Sequence, residues 1–278
     1  MTPPTPKDPD RRYFMFTLDD EGRYVPSKYA FGRWGPDMLN GPAVCAAAAH
    51  AVEAEHGSPE LVPARITIDL FKAARGEPLV AHTRLVRSGH RIRVSEVELS
   101  QGDTVVAQAT LVALRPSQEP PGEEWHSEHP FDPPTDDSRF RWYGSDDMGW
   151  TPVMSEHQNA GRKRLWATMI PVIDGVENTP FVTTVMAAEA TSLVTNWGSK
   201  GIGYINCDLT VAISRLPVGQ YIGLQADTHI TDAGLSVGTA TLFDTRGPIG
   251  TGMVTAVSNA AAQIDFSGAS DLRTEVSQ

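Results

Sequence analysis

Apolar residues along the chain fall into two rhythms. Residues 204–217 read Y-I-N-C-D-L-T-V-A-I-S-R-L-P, with Leu209, Val211 and Ile213 on one side and Asp208, Thr210 and Ser214 on the other. Alternation of period two marks a strand with one buried face. Similar texture predicts strands over residues 65–72, 79–88, 92–100 and 104–114, and again over 221–231, 235–244 and 250–257. Turn signals separate the first set at Arg75-Gly76, Ser88-Gly89 and Gln101-Gly102-Asp103. Residues 13–24 predict a pair of short strands turning at Asp20-Glu21-Gly22, and 140–143 and 163–173 predict two more strands.

Two stretches carry the helical rhythm. Asn40 is a good N-cap, with Gly41 and Pro42 in the first turn, where a missing N–H does no harm. The following A-V-C-A-A-A-A-H-A-V-E-A-E predicts a helix that stops at His56-Gly57. Its first three turns carry almost no charge, so other structure must wrap it. Thr179 and Pro180 open a second helix, predicted to run unbroken to Asn196 and to end near Trp197-Gly198.

Each half therefore has one order: a buried helix, then four antiparallel strands. Local texts correspond as well. I-T-I-D-L-F-K-A-A-R-G-E-P-L in the first half answers L-T-V-A-I-S-R-L-P-V-G-Q-Y-I in the second, and Q-G-D-T-V-V-A-Q-A-T answers T-R-G-P-I-G-T-G-M-V. An internal duplication follows, of α+β class, with each helix wrapped by a curved antiparallel sheet. The halves are expected at 13–115 and 138–262, joined by a linker at 116–137 rich in proline and acids. A loose arm is expected at 1–12 and a disordered tail after Asp265.

Composition narrows the partners. A net charge of -11 over 278 residues argues against nucleic acid, which needs a basic face. No apolar run reaches the ~20 residues that span a bilayer, and the N-terminus lacks the apolar core of a secretory signal. Cys45 and Cys207 both lie in apolar segments and read as small core residues. These features together predict a cytoplasmic protein.

The second half carries N-C-D-L-T-V at 206–211, then Arg215, Pro217, Gly219, Gln220 and Tyr221; the first carries Trp34, Pro36, Gly41 and Pro42. On these residues the chain resembles the double hot-dog, acyl-CoA thioesterase-like superfamily, in the bacterial branch akin to acyl-CoA thioesterase II. The resemblance implies hydrolysis of a fatty acyl-CoA thioester within lipid metabolism. It implies acyl-CoA as small-molecule partner, a homo-oligomer, and no cofactor beyond the CoA of the substrate. It places the family aspartate at Asp208, with a hydroxyl partner at Thr228 or, one residue on, His229. Amides near Gly41, or at the start of the second helix, would polarise the thioester carbonyl. Asn40 and Asn206 would contact substrate. The family glutamine, expected near the end of the last strand, meets Val254 and Thr255 instead, and Leu39-Asn40-Gly41 stands where His-Gly-Gly is usual.

Other residues have competing readings. Asp208 could instead cap its strand or pair with Arg215. Glu189, among small apolar residues of the second helix, would have a raised pKa if it faces inward. His50 reads as a hydrogen-bonded core residue. Arg84, Arg87, His90, Arg91 and Arg93 form a basic set on an acidic chain, and Arg87 and Arg91 are candidates for the CoA phosphates. Gly234-Leu235-Ser236-Val237-Gly238 fits G-x-S-x-G, but that motif needs a strand-to-helix turn and the residues after it read as strand. Metal-binding motifs are absent. The expected function is acyl-CoA thioesterase; the alternative is a catalytically impaired double hot-dog that binds acyl-CoA or another apolar ligand.

Overall fold

A computed structural model describes residues 12–136 and 139–268. The first half contains β1 (Phe16–Leu18), β2 (Tyr24–Pro26), helix α1 (Gly41–His56), β3 (Val62–Leu70), β4 (Val80–Ser88), β5 (Ile92–Gln101) and β6 (Thr104–Leu114). After the linker come β7 (Arg141–Ser145), β8 (Met148–Thr151), β9 (Lys163–Thr168), α2 (Pro180–Ala188) and α3 (Thr191–Asn196). A small hairpin of β10 (Trp197–Gly198) and β11 (Gly201–Ile202) leads to β12 (Tyr204–Asn206), β13 (Asp208–Ile213), β14 (Tyr221–Asp232), β15 (Leu235–Asp244) and β16 (Gly247–Ser258).

One twelve-stranded sheet joins both halves in the order β4-β5-β6-β3-β13-β16-β15-β14-β9-β7-β8, with β12 also pairing β16. The order reads outward alike from the β3–β13 seam: β3, β6, β5, β4 on one side and β13, β16, β15, β14 on the other. At the seam Thr67 faces Thr210, its counterpart in the repeated text, and the two hydroxyls share a hydrogen bond of 3.1 Å. A residue meets its own equivalent only where a pseudo-two-fold axis passes. The duplication and the double hot-dog arrangement are thus both present.

Alanine explains how α1 fits inside. Residues 43–49 and 51–52 are all buried, and the helix packs on α2. The two helices run antiparallel. Thr179, the N-cap of α2, donates to Glu53 in the last turns of α1, while Glu189 after α2 lies on Gly41 at the start of α1. Inward residues of the sheet, such as Ile66, Ile68, Leu99, Leu209, Val211, Leu224 and Val254, close the core over both helices.

Several expectations change. The second helix is broken at Glu189-Ala190 rather than continuous, and α3 packs down onto the sheet, where Thr191 Oγ1 occupies the space a Cβ on Gly252 would need. Residues 204–214 form two strands, because an irregularity at Cys207 shifts the pairing with β16 by one residue. That irregularity leaves Cys207 exposed, not in the core; Cys45 is buried as expected. The strand expected over 163–173 ends at Thr168, and β8 was not foreseen. Linker residues 116–136 contain no helix or strand, but Phe131 stacks on Phe243 with centroids 4.2 Å apart. The tail is ordered one step further than expected, with Phe266 buried against Trp197. The arm expected at 1–12 lies, except Arg12, outside the described residues, as does the end of the tail. Among the described residues no helix is long and apolar enough to cross a membrane, and no group of three or more ligating side chains could hold a metal ion.

Candidate active site

Helix α1 opens against α2, at the contact between the halves. Asn40 stands just outside in extended backbone and caps it, its Oδ1 accepting from the Ala43 N–H at 2.8 Å. Its Nδ2 donates to the carbonyls of Tyr29 and Phe31, at 3.0 and 3.3 Å, so the cap is tied to the preceding turn. Pro42 has no N–H, and Val44 N–H reaches the Asn40 carbonyl. The Gly41 N–H is thus the amide of this turn left without a protein acceptor among the described residues. A free amide at a helix N-terminus is a ready donor to developing negative charge.

Glu189 brings a carboxyl to the same place. A Cβ on Gly41 would lie 1.9 Å from Glu189 Oε1, so only glycine fits under the carboxyl. Asn206, at the end of β12, donates its Nδ2 to Glu189 Oε1 at 3.3 Å. Burial pushes the Glu189 pKa up to about 8, against the pull of that hydrogen bond and of the more distant Arg141. Cys45, one turn into α1, feels the same surroundings: burial and then the Glu189 charge raise its thiol well above the usual range. Across β16, the partner of Asn206 is the buried Ala256.

The structure does not bring Asp208 together with Thr228. Strands β16 and β15 lie between them, and three strand spacings amount to ~14 Å. Asp208 faces away from the helices, its neighbours Leu209 and Val211 facing in. Its two oxygens accept from Thr255, Oδ1 from the backbone N–H at 2.6 Å and Oδ2 from the hydroxyl at 2.7 Å. Those bonds fill the gap that the Cys207 irregularity leaves in the ladder, the capping reading of this residue. Thr228 hydrogen-bonds Thr239 at 2.8 Å on the outer face, and His229 points to the inner one beside Tyr204. Arg215 pairs not with Asp208 but with Asp244, through two bonds of 2.5 and 2.8 Å.

Arg87 and Arg91 are also remote from Gly41. They sit on the β4–β5 hairpin, whose Arg93 donates to the carbonyl of His56 at the far end of α1. The 15-residue rise from Gly41 to His56 is about 22 Å. Arg84 of the same set pairs with Glu96. Asn40 is in place, but its side chain is spent on the cap, so it positions the turn rather than reaching outward. His50 bonds Tyr24 at 2.8 Å, as a core histidine would. Ser236 of G-x-S-x-G is buried at the start of β15, which follows a strand-to-strand turn and not a strand-to-helix one.

Comparisons with known proteins bear on these residues. Residues 31–114 match the family described as acyl-CoA thioesterase N-terminal domain, and residues 112–257 its C-terminal domain counterpart. No curated protein matches the sequence. Among solved structures, the tesB protein of Mycobacterium avium subsp. paratuberculosis superposes with a TM-score of 0.61 at 15% identity, covering 85% of this chain and 92% of its own. Acyl-CoA thioesterase II TesB2 of Mycobacterium marinum gives 0.57 at 14% identity, covering 77% and 87%. A hot dog fold protein of unknown function from Alicyclobacillus acidocaldarius gives 0.59 at 14%, covering 85% and 91%. At such identity these likenesses concern the fold alone.

Proposed function

Because the chain belongs to the acyl-CoA thioesterase family, we propose that it hydrolyses a fatty acyl-CoA to the free acid and CoA where the two halves meet. The observation that carries this reading is the buried Glu189 carboxyl seated on Gly41 at the start of α1. The thioester carbonyl oxygen accepts from the Gly41 N–H. Ionised Glu189 takes a proton from water as the water oxygen bonds to the carbonyl carbon. The tetrahedral oxyanion is held by the same amide and by the positive end of the helix. It collapses by breaking the C–S bond, and Glu189 returns the proton to the departing thiolate. Asn206 holds the carboxyl in place throughout. Lipid metabolism in the cytoplasm is the setting in which such a substrate occurs.

The test follows free thiol release from acyl-CoAs of short to long chain, with Glu189→Gln in parallel. Glutamine keeps the shape and cannot carry the proton, so release should fall by about 100-fold or more, in the range of general-base catalysis. Full activity in Glu189→Gln would remove Glu189 from this role. Ala256 favours a second reading: with no polar side chain opposite Asn206 to share the work of Glu189, the protein binds acyl-CoA without cleaving it. Tight acyl-CoA binding with no thiol release by the folded parent protein would establish that alternative.

A further inference from the structure

The strands β7 and β9 carry two cations on the helix side of the sheet. Tyr143 lies opposite Leu165 and Arg141 opposite Ala167. Tyr143, Leu165 and Ala167 belong to the core, so the period of two puts Arg141 on the inner side with them. Trp142 between them faces out, its indole donating to the Asp136 carbonyl at 3.2 Å. Lys163, on the inner side of β9, donates to the carbonyls of Asn159 and Gly161 and is satisfied. Arg141 differs. It is half-buried, and its guanidinium has neither a hydrogen bond nor an ion pair among the described residues. An inward cation without an anion is costly, since the lost hydration has no replacement.

The start of β7 adjoins the candidate active site. Phe140, next to Arg141 in the chain, packs on Tyr13 with ring centroids 6.3 Å apart, and Tyr13 packs on Tyr29 at 5.2 Å. The Tyr29 carbonyl accepts from Asn40, the cap of α1, at 3.0 Å. Further along β7, Tyr143 meets Trp197 just past the end of α3, with centroids 6.0 Å apart. The other end of α3 follows directly on Glu189 and Ala190. The Arg141 charge accordingly reaches the Glu189 carboxyl, without pairing with it. At neutral pH that carboxyl is mostly protonated and does not balance the guanidinium.

We infer that Arg141 receives a second carboxylate carried by the acyl chain, so that among acyl-CoAs the thioesters of dicarboxylic acids are taken best. The free donors of a guanidinium fork match a carboxylate through two parallel bonds, and one guanidinium balances one such charge. The chain is then held at two points, its thioester carbonyl at the Gly41 N–H and its far carboxylate at Arg141. Turnover of such a substrate rests on the hydrolytic reading of Glu189; its binding does not.

The test compares kcat/KM for adipyl-CoA and hexanoyl-CoA, and for the same two acyl groups on pantetheine, which lacks the phosphates of CoA. It is run at a pH above the Glu189 value of about 8. The carboxylated member of each pair should be favoured about tenfold or more, as expected for charged hydrogen bonds. Arg141→Gln should bring that ratio close to one, and Arg141→Lys, which keeps the charge without the fork, should retain part of it. The ratio cancels any change in Glu189 that both substrates feel alike. No preference in the parent protein, or a preference that Arg141→Gln retains, overturns the inference. So does an equal loss on both CoA esters with none on the pantetheine esters, which would assign Arg141 to the CoA phosphates. Calorimetry with the uncleavable S-(5-carboxypentyl) and S-hexyl thioethers of CoA separates the two proposals. Tighter binding of the carboxylated thioether, lost in Arg141→Gln, together with no thiol release from any ester, would uphold Arg141 and remove the hydrolytic reading. Equal binding of the two thioethers, with thiol release intact, would do the reverse.

Discussion

Glu189 ties pH to both activity and stability. With a pKa of about 8, roughly one molecule in ten is ionised at pH 7. If the ionised form is the base, kcat/KM should climb close to tenfold per unit below that value and level off above it; a profile flat from pH 6 to 9 would count against it. The stability effect has the opposite direction. An unfolded glutamate titrates near 4.5. Between that pH and about 8 the folded chain holds a proton that the unfolded chain has lost, so stability falls as pH rises through this window. Thermal melts should therefore show Glu189→Gln gaining on the parent by up to a few kcal/mol at pH 8.5, at ~1.4 kcal/mol per pKa unit, with little difference at pH 4.5. Asp208→Ala is the contrasting variant. Removing an acceptor of two bonds should cost about 1–3 kcal/mol, while the folded fraction still turns over substrate. Loss of turnover in fully folded Asp208→Ala would return Asp208 to the chemistry.

At the level of elements, the alternating pattern located nearly every long strand, because one side of each faces the helices. It failed where a single residue disturbs the alternation. Read as one strand, residues 204–214 make Asp208 the conspicuous acid; the irregularity at Cys207 turns Asn206 inward to Glu189 and leaves Asp208 facing out. Glu189 was legible only as a lone acid among small apolar neighbours, and which helix start it would meet depends on antiparallel packing that no local pattern encodes. The two helix caps offer a matched test. Asn40→Ala and Thr179→Ala should each cost about 1 kcal/mol by denaturant unfolding. Only Asn40→Ala should also reduce turnover, because it frees the turn that carries Gly41. Equal turnover in the two folded variants would mean that the α1 start is not the oxyanion site.

For the whole molecule, the β3–β13 seam sets a constraint in time. Its central pair, Thr67 and Thr210, is separated by 143 residues in sequence, whereas the hairpin β5–β6 closes across two. Contacts that close long loops form late. Each half should reach its own helix and hairpins before the sheet becomes continuous, passing through a species with two unjoined edges. Pulsed hydrogen exchange during refolding should protect β5, β6, β15 and β16 before the Thr67 and Thr210 amides; seam amides protected first would contradict this order. On the ribosome, β3 must then wait with an open edge until some 140 further residues have been made. During that interval the most available partner for β3 is the same strand of another nascent chain, which carries the same threonine at the axis.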